Sequence, residues 1–323
     1  MFAVAKMPKS RKRLRPKRRR RTKLAIDPLA IESMFDEVAR APHAGAPLVL
    51  YHYTTWGGAQ GILTSQQFWA SAHDCTNDMA ELVSADSVII DVAKELQRNA
   101  TGAAAEVLSL FADGYAKLQI TRMVSVCMAC FSVARDDEAQ WRKYGDNGHG
   151  VCLGIRVLDE PGPKDPPSAL VQVNYSEASW RSDLTKHFGQ VCSLLSRVVA
   201  SRKNCELGLS ALYRTAAFAS IAAKRREWAG EREFRHVTLV RQKLQGQLKE
   251  REANGKIIRF LPISVRADGK RIAFSEIIVG SNRNAQETRE QLTSLLATKG
   301  YKVGDIEYPE IIASAIPPWD PSS

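Results

Sequence analysis

Residues 50–71 read LYHYTTWGGAQGILTSQQFWAS. Leu48 to Tyr53 form a short apolar and aromatic run behind a proline, which predicts a strand. Thr54 or Thr55 then stands where a helix N-cap is needed. TTWGGAQGILTSQ predicts a helix whose glycines permit close approach of backbone or ligand, and QQFWAS predicts a second strand. His52 and Tyr53 are thereby left side by side at a strand end, with no neighbouring histidine or cysteine to share a metal.

Working outward, MVSVCMACFSV predicts a strand, DDEAQWRKYGDNGHG a short helix closing on a glycine-rich turn, and VCLGIRV another strand. DEPGPKDPPS, residues 159–168, carries four prolines and predicts a surface loop. ALVQVNY, EREFRHVTLV, GKIIRFLPISV and KRIAFSEIIVG read as further strands. The spans 77–118, broken near Asn99 to Gly102, and 177–226 have helical periodicity, as does 284–296. Upstream, DPLAIESMFDEVARA predicts a short docking helix. Strands and helices fall in separate groups and do not alternate strictly, which indicates an α+β fold with a mixed or antiparallel sheet, not a doubly wound parallel one. The expected organisation is a disordered basic arm (1–24), a docking helix and linker (25–46), one domain (47–313) with a large helical insert (177–226), and a tail (314–323).

Composition supports a folded globular body: 44% of the residues are hydrophobic and 25% charged. No apolar run approaches the roughly 20 residues that span a bilayer, and no secretory core is evident at the N-terminus, so a cytoplasmic location is expected. The formal charge of +11 is localised. Twelve of the 46 Lys and Arg lie in residues 1–24, which hold no acid, so the rest of the chain sets 34 basic against 35 acidic side chains. Such an arm attracts polyanions, nucleic acid among them, by counterion release and without reading sequence. A solvated tail is the plainer alternative. The six cysteines lack a disulfide rhythm. Cys127 and Cys130 spell CMAC, but a structural zinc site needs a second ligand pair, and residues three apart on a strand face opposite ways. No metal is expected.

Four polar clusters ask for a reason: His52 with Tyr53 and Thr54; Asn77, Asp78 and Glu81; Trp141 with Tyr144; and Glu231 with Glu233 and Arg235. In REWAGEREFRHV, an extended run from 231 to 237 places Glu231, Glu233 and Arg235 on one face. Like charges so placed repel unless cations join them, and Lys224 and Arg235 are the candidate partners. A solvated edge strand is the alternative. A carboxylate aimed into a cleft steadies the positive charge that grows on a sugar as its leaving group departs. Glu233 suits that use, and Glu233→Gln would remove charge while keeping shape. Tyr144 either stacks on a flat leaving group or packs on its glycine turn; His52 either bonds a ribose or is a satisfied strand-end histidine.

Taken together, HYTT at 52, ILTSQQFWAS at 62, NDMAE at 77, ACFS at 129, WRKYGDNGHG at 141, REWAGEREFR at 226 and SEIIVGSN at 275 resemble the bacterial family DUF2971 over about residues 48–283. The order of elements is in turn similar to ADP-ribosyltransferases, especially those that modify DNA bases. That resemblance implies a split sheet, NAD as donor substrate, and NAD contacts from His52, Tyr53, Thr54, Ser71, Ser132 and Tyr144. It implies catalytic roles for Glu233, Glu231 and His52, and a toxin or antiphage effector acting on nucleic acid. A non-enzymatic nucleic-acid or partner-binding scaffold and an NAD glycohydrolase are the competing functions. The long segment 177–226 departs from a minimal transferase.

Overall fold

A computed structural model describes residues 49–75, 85–115, 125–157, 168–197, 202–240, 246–253, 255–264, 271–306 and 308–318. The expectations for the basic arm, the docking helix, Asn77, Asp78, Glu81 and most of the proline-rich loop lie outside these residues. The fold is a mixed α+β arrangement around an open sheet.

The opening stretch folds as strand β1 (Val49–Thr54), helix α1 (Trp56–Ser65) and strand β2 (Phe68–Ala72). Thr55 caps α1, its hydroxyl accepting from Gly58 N at 3.1 Å, and Gln66 ends the helix in the left-handed region. Helices α2 (Asp86–Asn99) and α3 (Gly102–Tyr115) follow, separated at the break the sequence marks. Strand β3 (Ser125–Ser132), short helix α4 (Glu138–Lys143) and strand β4 (Val151–Arg156) come next. Strand β5 (Ser168–Gln172) then leads to α5 (Glu177–Arg197) and α6 (Arg202–Ala222). The chain closes with β6 (Glu233–Val240), the β7–β8 pair (Lys249–Ala253, Lys256–Ile263), β9 (Phe274–Val279), α7 (Ala285–Thr298) and β10 (Glu310–Ala313).

The sheet runs β10-β9-β4-β1-β3-β2-β8-β7, with β6 and β5 branching from β3; β9–β10 is parallel and the other pairings are antiparallel. β6 pairs along all eight residues of β3. β1 and β2 therefore divide the opposite edge of β3 between them, β2 at Cys127 and Met128 and β1 at Ser132. A strand has only two hydrogen-bonding edges, so the sheet splits here.

Opposed residues on antiparallel strands share a face. One face carries Leu50, His52, Phe131 and Phe234 and is covered by Ile62 and Leu63 of α1 and Leu292 and Leu296 of α7. The other carries Tyr51, Tyr53, Cys130, Ser132, Glu233 and Arg235. Helices α2, α3, α5 and α6 form a separate four-helix cluster around Val92, Leu108, Phe111, Phe188 and Leu212. Tyr115 ties three of them, bonding Asp86 and Ser220 at 2.9 Å each. The segment read as a large helical insert packs with the earlier helical pair. The end of α6 meets the Arg235 face of β6.

The turn after α4 lies against β1 and β9 through glycines. A Cβ on Gly150 would run into the Thr54 carbonyl, and one on Gly280 into that of Gly148. Both obstacles are backbone, which cannot rotate aside. Gly150→Ala is expected to destabilise the fold by about 1–3 kcal/mol, whereas Gly57→Ala, where a Cβ meets nothing, is expected to be near neutral. Urea unfolding of the two variants measures the difference.

Candidate functional site

The polar cluster forms where α6 ends, the 3-10 turn Arg226–Glu231 intervenes, and β6 begins. Glu231 belongs to the turn and not to the strand, which corrects the expected extended run from 231. Arg232 between them takes φ 45°, in the left-handed region, and this kink brings both carboxylates to one ammonium. Lys224 Nζ donates to Glu231 Oε2 at 2.5 Å and to Glu233 Oε2 at 2.8 Å. Arg235 adds Nε to Glu233 Oε1 at 3.0 Å and Nη2 to Oε2 at 3.2 Å. The expected cationic partners are therefore the ones found. β6 is flanked by β3 and β5, so these charges do not guard a solvated edge.

Backbone contacts fix the geometry. Lys224 N donates to Asn174 O at 3.1 Å, pinning the chain just past α6. Arg235 Nη1 donates to Ile221 O at 2.9 Å, satisfying a carbonyl that the helix end leaves open. The Glu231 carbonyl accepts from Ser132 Oγ at 2.6 Å and from Gln140 Nε2 at 3.3 Å. Tyr175 OH accepts from Glu233 N at 2.8 Å.

The two carboxylates are both buried, Glu233 at 4% and Glu231 at 8% exposure, with Arg235 at 0%; they differ in partners. Glu231 meets α4 at the cluster's outer side: Tyr144 OH donates to its Oε1 at 2.6 Å, and Lys143 Nζ pairs with the same oxygen. The Lys143 side chain is 36% exposed and its ammonium lies 3.4 Å from the Trp228 ring centroid, a cation–π contact. Cys130, exposed on the same sheet face, also bonds the Glu233 carboxylate.

Burial pushes the Glu233 carboxyl up, but the Arg235 and Lys224 charges prevail and hold it down at about 2. Burial likewise opposes ionisation of Glu231, and its bonds from Lys143, Lys224 and Tyr144 bring its pKa below the usual carboxylate value. Tyr144 is raised by burial and by its bond to Glu231, so it remains a neutral donor. Three cations face two carboxylates, so these five side chains together carry one net positive charge.

Other expected site residues fall in two groups. Ser132 and Tyr53 share the carboxylates' side of the sheet and act through backbone: Tyr53 OH donates to Ala134 O and accepts from Asp137 N, both at 2.8 Å, while its ring meets Trp141 edge-on at 5.0 Å. This holds the loop that leads into α4 and so places Lys143 and Tyr144. Ser71, opposite Met128, also faces that side. His52 does not join them. It lies with Phe68 and Phe131, at ring distances of 5.2 and 5.6 Å, on the opposite face from Glu233. Its Nδ1 is 2.9 Å from Cys130 O and must carry the proton there; burial lowers its pKa. Thr54 follows His52 in alternation onto that same face. Lys143, Trp228 and Tyr175 are not among the expected site residues; WRKYGDNGHG and REWAGEREFR contain the first two, and Tyr175 stands just past the end of β5.

A family profile described as Protein of unknown function (DUF2971) matches residues 140–236. The match, less than a third of the chain, supports the DUF2971 family. It contains Gln140, Lys143, Tyr144, Tyr175, Lys224, Trp228, Glu231, Glu233 and Arg235, nearly the whole cluster. No curated protein and no solved structure matches the chain.

Lys224→Met is expected to strand two buried carboxylates and to cost about 3–5 kcal/mol, read by urea unfolding. Glu233→Gln keeps the shape expected of it but destabilises the fold, because it removes the charge that balances fully buried Arg235. The depressed Glu233 pKa sets the sign of the acid response. Its stabilisation is complete above the ordinary value of 4.5 and is lost as pH falls toward about 2, amounting to on the order of 3 kcal/mol. Thermal unfolding between pH 6 and 2 should show that loss, and Glu233→Gln should flatten it. Peptide mapping after brief maleimide treatment should find Cys130 labelled and Cys127 and Cys152, both 0% exposed, labelled only after unfolding.

Proposed function

We propose that this chain is an NAD-dependent ADP-ribosyltransferase whose working carboxylate is Glu231, with Glu233 as its buried support. The observation that carries the proposal is the ionised Glu231 carboxylate at the outer side of the cluster, held between Tyr144, Lys143 and Lys224. Fixed, partly desolvated charge of this kind is suited to a cationic sugar transition state. The bond from ribose C1′ to the nicotinamide nitrogen breaks, its electron pair neutralises the pyridinium, and an acceptor atom bonds C1′ while its proton passes to solvent. Lys143 supplies the positive charge for the donor's phosphates, and Trp228 an aromatic surface beside it. The basic arm gives nucleic acid an electrostatic attraction as acceptor.

Two observations favour a non-enzymatic binding scaffold instead: His52 faces away from the cluster, and Glu233 is fully engaged by Lys224 and Arg235. Incubation with NAD labelled in its adenylate half, together with DNA, RNA and protein, separates the possibilities. Label on a polymer is expected; free ADP-ribose alone would indicate a glycohydrolase, and intact NAD a scaffold. Glu231→Gln should lower turnover by about 100-fold or more with the fold retained, because Lys224 keeps Glu233. Undiminished turnover in that variant would remove Glu231 from the chemistry.

A further inference from the structure

Behind the carboxylate cluster, between the end of β5 and helices α5 and α6, lies a cavity of about 580 Å³. Its volume falls within the usual range for small-molecule sites. Trp180, Asp183, Leu184 and His187 recur at helical spacing along α5 and present one stripe to it, facing Ala219 of α6 and Tyr175. The Trp180 ring is held in place, its Nε1 donating to Asn174 O at 2.9 Å. Asp183 and His187 are exposed, so they sit at the mouth.

We propose that this cavity is a second ligand site, separate from Glu231, for a planar heterocycle of nucleoside size that bears hydrogen-bond donors and is neutral or cationic. The aromatic and aliphatic walls suit a flat ring. Asp183 accepts from ring or amino N–H groups, and His187 and Thr215 offer further polar contacts. Among the described lining residues the one charged side chain that faces the ligand is the Asp183 carboxylate, which attracts N–H groups and repels a phosphate. Tyr175 joins the site to its surroundings: it lines the cavity, and its hydroxyl accepts from Glu233 N. An occupant therefore rests one side chain from the start of β6. The proposal does not depend on NAD chemistry.

Isothermal titration calorimetry on the full chain tests it with adenosine, guanosine and nicotinamide, and with adenosine monophosphate as the anionic comparison. At least one of the three uncharged probes is expected to bind at sub-millimolar concentration. Adenosine monophosphate should bind no better than adenosine. Asp183→Asn, an exposed change that leaves the fold intact, should weaken binding about tenfold, while Glu231→Gln should leave it unchanged. Failure of all three probes, preference for the phosphorylated form, indifference to Asp183→Asn, or loss of binding in Glu231→Gln would each overturn the second site.

Discussion

A buried ammonium must be neutralised, and Lys224 meets that demand by taking one oxygen from each of two carboxylates. Much of the local architecture follows. The kink at Arg232 exists where both acids must turn toward a single cation. The chain past α6 is pinned to Asn174 so that the ammonium arrives in register, and Arg235 closes the helix end while balancing Glu233. Desolvation opposes every one of these charges, so removing Lys224, Glu233 or Arg235 exposes the cost of the partners left behind. The network consequently joins the helical cluster, the sheet and the turn around α4 through specific geometry more than through buried apolar area.

The sheet supplies the second constraint. With β6 occupying one edge of β3, β1 and β2 divide the other, and the side-chain alternation of β1 sends Tyr53 and His52 to opposite faces. Tyr53 thereby becomes the anchor of the loop before α4, while His52 becomes a ring among rings. The outer side of the cluster is left to residues from α4 and the 3-10 turn. α4 is held by Trp141, buried among Tyr51, Tyr53 and Ile278, and by the bond from Asp137 N to Tyr53, while Ser132 and Gln140 bond the Glu231 carbonyl of the 3-10 turn.

Strands β1 to β4, β6, β8 and β9 were legible because each is an apolar run bounded by turn residues, and the break between α2 and α3 because Asn99 to Gly102 interrupts the helical period. β7 was missed since KEREA has no apolar alternation; the readable sign was Asn254-Gly255 beside it, flanked by the pair Ala253 and Lys256, the commonest hairpin signature. Lys224 and Arg235 were recoverable as partners because two neighbouring acids on one chain segment demand cations. That Glu231 leaves the strand was not, since the left-handed Arg232 has no sequence mark of its own. Nor was the side His52 faces visible in function-like spacing, though strict alternation from Tyr53 contained it. The association of α5 and α6 with α2 and α3 depends on contacts more than sixty residues apart, beyond any local pattern.

That association also orders events in time. Among the described residues, the apolar surface of residues 86–115 packs mainly against residues 177–223, and strands β3, β4 and β5 are synthesised between them. During translation the first helical pair must wait, with its greasy side uncovered, until the second emerges. Chain closure over such a distance is slow compared with helix formation. The cluster around Lys224, whose cation lies just beyond α6, likewise cannot close until both α6 and β6 have been synthesised.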